Sequence, residues 1–125
     1  PAYQDYIAKS QVTSALAEIT PGKVTAEEKI AGGTLTANIT AASELGLKAA
    51  TDRCSGIAVD VASNGVATLK CTIKGNGQTV GKVIQWSRYS DTNATPSSAG
   101  AWFCGTDAET KHRPATCSQN VVTPS

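Results

Sequence analysis

The side chains best equipped for chemistry in this chain are four cysteines, Cys54, Cys71, Cys104 and Cys117, and a single histidine, His112. No two cysteines stand in a C-x-x-C pair, the spacing that pre-forms half of a tetrahedral zinc site, so structural zinc is not expected. An even number of cysteines among Ser- and Thr-rich loops points instead to two disulfides and an oxidising compartment. Four cysteines allow three pairings. The sequential one, Cys54–Cys71 and Cys104–Cys117, closes two local loops and is the expectation here. Each bridge would stabilise by roughly 3 kcal/mol in the chain-entropy picture. Four buried thiols in a cytosolic protein are the alternative.

His112 stands in Lys111-His112-Arg113, inside the segment between Cys104 and Cys117. As a catalytic base it would need a nucleophile on one side and an orienting acid on the other. Ser and Asp are spread along the whole chain, so their presence singles out no triad, and no enzyme activity is expected. A solvated loop histidine is the simpler reading. The basic trio could touch an anionic surface or DNA, but three charges give weak, salt-sensitive binding. Carboxylates clustered to hold calcium are missing after residue 90, where the acids are Asp91, Asp107 and Glu109. No metal and no cofactor is expected.

The elements that position these groups follow from composition and pattern. With 125 residues the chain is long enough for one domain with a real core. Aromatic residues make up 5% and methionine is absent, so that core must be built from Ala, Val, Ile and Leu. Eleven basic residues face ten acidic ones, which implies no strongly charged partner. No apolar run reaches membrane-spanning length.

PAYQDYIAKSQVTSALAEI reads as a helix from Ala2 to Thr20 with apolar groups on two sides. Ala8, Val12, Ala15, Leu16 and Ile19 make one stripe, and Tyr3 and Ile7 a second. Two stripes call for two things to pack against: the chain's own body and neighbouring subunits. Asp5 and Lys9, four apart, suit an exposed helix pair. Pro21-Gly22 interrupts the helix. Thr25 with Glu28 reads as a capping box that restarts it, and Gly32-Gly33 stops the second piece. Leu35, Ala37 and Ile39 suggest a short extended piece, and Ala41–Leu47 a helical turn. Ile57, Val59 and Val61 alternate as a first strand. Ser63-Asn64-Gly65 is a hairpin turn, 66–73 a second strand, Gly75-Asn76-Gly77 another turn, and 80–89 a third strand with Trp86 on the sheet face. Ala101-Trp102-Phe103-Cys104 is a short fourth strand, followed by a polar loop and the tail SQNVVTPS.

The opening segment, Pro1 to Thr20, closely resembles the stretch that follows the apolar N-terminal segment of type IV pilins, especially those of Pseudomonas and Acinetobacter type. The match is specific over those twenty residues; beyond them the likeness is one of architecture. In that family about twenty apolar residues come first, enough to cross a bilayer. The chain is therefore expected to be such a subunit without that half-helix.

The resemblance implies an α+β pilin fold, a long helix on a four-stranded antiparallel sheet with a disulfide-closed C-terminal loop. Residues 1–125 would form one domain: a helical spine (1–32), a helix-to-sheet loop (33–53), the sheet (54–104), and the disulfide loop and tail (104–125). It implies that Tyr3, Tyr6, Ile7, Val12 and Leu16 serve filament packing. Lys111, His112 and Arg113 would lie in a receptor-facing loop. The ending Thr123-Pro124-Ser125 resembles tails that carry an O-linked glycan on the last serine, a free tail being the alternative. The implied partners are further copies of the chain, the pilus assembly machinery, minor pilins and a host-surface receptor, with DNA left open. The fibre would be extracellular, its subunit held in the inner membrane beforehand and methylated at the N-terminus, and it would serve twitching motility, adhesion and DNA uptake. The Cys54–Cys71 pair departs from the many pilins with a C-terminal bridge alone. The competing readings are a pseudopilin of a type II secretion system, a disulfide-stapled secreted binding module and a small secreted hydrolase.

Overall fold

Antiparallel strands joined by short turns put neighbours in sequence next to one another in space, and that is the order found: β1 (Cys54–Val61), β2 (Ala67–Ile73), β3 (Val83–Arg88) and β4 (Trp102–Thr106) form one sheet in sequential order. The structure is a computed structural model and describes residues 2–125. β2 alternates buried and half-buried residues along its whole length, with Ala67, Leu69, Cys71 and Ile73 inward. That period of two is what a sheet with one packed face requires. The first hairpin closes through Ser63-Asn64-Gly65, with Gly65 at φ 96° and no positive φ at Asn64. It is thus a three-residue loop ending in a left-handed glycine, not the two-residue turn that needs positive φ at both positions.

Helix α1 (Ala2–Ile19) lies across the inner face and buries Ala8, Val12, Ala15, Leu16 and Ile19, the stripe its periodicity prescribes. The chain breaks helix at Thr20-Pro21 and resumes as α2 (Gly22–Ala31). Thr25 falls inside α2, and Pro21, at the N-cap position, has no side-chain cap bond, so the expected Thr25–Glu28 capping box does not form. The restart comes earlier because Pro21 already holds helical angles (φ −58°, ψ −26°), which pre-organise the next turn. Gly22 allows α2 to sit close: a Cβ there would come within 2.7 Å of Leu47 and 3.2 Å of Leu69.

Both disulfides join the sequential partners. Cys54–Cys71 ties β1 to β2, and Cys104–Cys117 ties β4 to the 3-10 turn Ala115–Cys117. The 34–53 connection contributes one antiparallel bridge, Ile39 to Val61, and a 3-10 turn over Ala42–Leu45. The C-terminal tail forms a parallel bridge from Gln119 to Gly105. It then crosses the outer face, where the Val122 carbonyl accepts from Gln85 and Ser87. Ser125 ends against the 90–93 turn, its carbonyl accepting from the Ser90 amide (3.2 Å) and the Asn93 side chain (2.9 Å).

Candidate assembly surface

The helix presents two unlike sides. Val12 is fully buried and Leu16 is 8% exposed, whereas Tyr3 and Tyr6 are 73% and 72% exposed. Ile7 is half-buried between them. Of the five residues expected to serve packing between subunits, Val12 and Leu16 therefore belong to the subunit's own core, while Tyr3 and Tyr6 stand free. Two of the three hydroxyls between the tyrosines and the helix end are satisfied within the helix: Ser10 donates to the Tyr6 carbonyl and Thr13 to the Lys9 carbonyl, each at 2.9 Å. Back-bonded hydroxyls place their polarity on the helix and leave a low, sparsely polar surface.

Among the described residues, four sets of polar contacts hold the α1–α2 helical segment to the body. Near the start, Asp5 Oδ1 accepts from His112 Nε2 at 3.1 Å and from Lys111 Nζ at 3.3 Å. Next, Gln11 Oε1 accepts from the Asn76 amide (3.0 Å) and the Thr79 hydroxyl (2.7 Å), and Thr79 is fully buried. At the break, Trp86 Nε1 donates to the Thr20 hydroxyl at 3.1 Å. On α2, Glu27 Oε1 accepts from Arg88 Nε at 2.6 Å and from Trp102 Nε1 at 2.7 Å. Arg88 also donates to Asp91 (2.9 Å) and to the Gly65 carbonyl (2.8 Å). The Lys23 ammonium sits 3.7 Å from the Trp86 ring centre, in cation–π reach.

The charges respond as this geometry requires. The hydrogen bond from His112 holds the Asp5 carboxyl below the usual aspartate value, against an opposing effect of burial, with Lys111 adding to the lowering. Burial alone would raise the Glu27 carboxyl, but the Arg88 and Trp102 hydrogen bonds outweigh it and leave it lowered. Burial would likewise lower the Arg88 guanidinium, and Glu27 and Asp91 together leave it raised.

The basic trio is not a free patch. His112 has no exposed surface, which corrects the expectation of a solvated loop histidine. Its Nδ1 has no hydrogen-bond partner among the described residues, with Glu109 Oε2 3.6 Å away. Lys111 faces Asp5 and, at 3.9 Å, Glu109. Arg113 stitches the loop to itself through the carbonyls of Ala108 (2.8 Å) and Ser118 (3.1 Å). Asp5 does not pair with Lys9: its carboxylate turns to the C-terminal loop, and Lys9 has no ion pair among the described residues. Sequence reasoning missed the tethering roles of Gln11, Glu27 and Arg88, since lone polar residues carry no periodic signal.

Among the described residues no group of acids, histidines or cysteines could hold a metal, and no helix is long and apolar enough to cross a membrane. A family model described as pilin, a bacterial filament protein, matches residues 8–118. Among curated proteins the chain is similar to fimbrial protein EcpC of Eikenella corrodens, 29% identical over 137 aligned positions, covering 99% of this chain and 78% of that one. Among solved structures it is similar to a Cs1 pilin chimera, with a TM-score of 0.70 and 28% identity over 90% of this chain and 98% of the other.

Proposed function

Since the chain belongs to the pilin family of bacterial filament subunits, we propose that it is a structural subunit of a type IV pilus and that helix α1 is its assembling element. One observation carries the reading. A helix already sealed to its body along one stripe still leaves two tyrosines largely exposed. Large apolar rings held rigidly on an outer face mark a surface that another molecule covers. The role is mechanical and no reaction is assigned.

In this reading an apolar half-helix precedes residue 1, anchors the subunit in the inner membrane and later fills the fibre core. Tyr3 and Tyr6, with Ile7 beside them, meet neighbouring subunits. Separate motor proteins extend and retract the fibre for twitching, attachment and DNA uptake. The disulfide-closed loop is the receptor-facing part, with Lys111 as its exposed cation and His112 as internal support. The Ser125 hydroxyl is the attachment point of an O-linked sugar, its backbone being fixed by Ser90 and Asn93.

Fibres sheared from the source bacterium test this. Electron microscopy with an antibody to this chain should decorate thin fibres that vanish on gene deletion. Intact-mass measurement should find an additional apolar segment with a methylated N-terminus. Fibres that persist unlabelled after deletion would exclude the chain as their main subunit.

A further inference from the structure

Lys9 and Glu18 are two charges of opposite sign on α1, and neither has an ion pair among the described residues. They are nine residues apart. At about 100° and 1.5 Å per residue, nine residues make about two and a half turns, a net offset of about half a revolution, and climb about 13.5 Å. The two charges therefore stand on opposite flanks of one helix, to either side of the buried stripe. A partner that runs parallel and is displaced sideways presents its opposite flank to the first. Lys9 of one copy then faces the Glu18 flank of the next.

We infer, on the strength of the filament reading, that a second copy of this chain docks parallel to the first, shifted along the helix by about nine residues, with Lys9 entering the Glu18 cleft. That cleft, of about 570 Å³, lies between the α1–α2 junction and the 46–52 loop and is lined by Glu18, Ala17, Pro21, Lys48 and Asp52. Two carboxylates against one lysine make it complementary to an incoming ammonium. Because the two flanks differ, the contact is heterologous, and because each copy is shifted along the axis it does not close into a ring, which is the geometry of an open filament.

Native fibres treated with a water-soluble carbodiimide, which joins amines to carboxylates in contact, provide the test. The expected product is an amide between Lys9 and Glu18 or Asp52, absent from dissociated subunits. The helix itself holds Lys9 and Glu18 too far apart for this bond within one chain. Lys9→Glu and Glu18→Lys in the full-length subunit should each lower fibre yield about tenfold or more, because like charges then face each other. The double exchange should restore it. Fibres that give no such cross-link and ignore both reversals would overturn the pairing while leaving the filament reading intact. A bacterium whose fibres never contain this chain would overturn both.

Discussion

Asp5, on the first turns of α1, accepts a hydrogen bond from His112, 107 positions further along the chain, and His112 is sealed from solvent in making it. The contact joins the start of the described helix to the disulfide-closed loop. A load or motion entering the helix at its N-terminal end is passed to that loop through Asp5, which binds both His112 and Lys111.

His112→Ala should therefore cost the subunit about 2–4 kcal/mol, the usual consequence of emptying a fully buried site. Urea unfolding checks the magnitude. Hydrogen exchange should locate the first loosening at residues 108–113, ahead of the sheet. An unchanged midpoint would show that the buried ring supports nothing.

Acid should weaken the helix attachment. The Asp5 and Glu27 carboxyls are both held below their ordinary values of 3.8 and 4.5. A carboxyl lowered on folding stabilises the native state at every pH above its unfolded value, and that contribution disappears as the pH falls through the folded value. Stability should thus be level for these two groups down to about pH 4.5 and decline below it. Glu27→Gln should flatten that decline, and a variant with the wild-type acid slope would remove Glu27 from the account. The effect is moderate, since the Glu27 side chain is 45% exposed and solvent screens it.

Gly105→Ala should detach the C-terminal tail. A Cβ at Gly105 would strike the Asn120 carbonyl and come within 2.8 Å of the Val121 Cα, both backbone atoms with nowhere to turn. The sheet itself has no quarrel with alanine, so the expected outcome is a folded subunit whose residues 119–125 exchange amide protons freely and are trimmed by carboxypeptidase. A tail equally protected in wild type and variant would contradict this.

The inner stripe of α1 and the alternation of β2 were legible because burial repeats with the period of the element, 3.6 or 2. The disulfide partners were legible because sequential pairing closes two local loops. His112 was misread for a physical reason. GTDAETKHRPAT is polar along its length and looks solvated, and only the arrival of α1, placed there by contacts far away in sequence, covers it. Asp5 was misread with it, since the local Lys9 partner was visible and the distant His112 was not. The Arg88–Glu27 pair lay beyond reach for the same reason: α2 and β3 meet only once the sheet exists. The tyrosines came out of the opposite logic, as apolar groups for which the helix's own stripe has no place.

That logic yields the last prediction. Tyr3→Ala and Tyr6→Ala remove rings that touch little of their own chain, so the isolated subunit should keep its unfolding midpoint to within about 0.5 kcal/mol, as exposed substitutions usually do. If a neighbouring copy covers the rings, the same changes must act on assembly alone, because the interaction energy they remove exists only between copies. Fibre yield should then fall steeply, more for the double variant than for either single one, while the amount of folded subunit in the cell stays level. A fall in subunit stability that tracked the fall in fibre yield would mean the rings support the fold, and the outer face of α1 would lose its claim as the assembly surface.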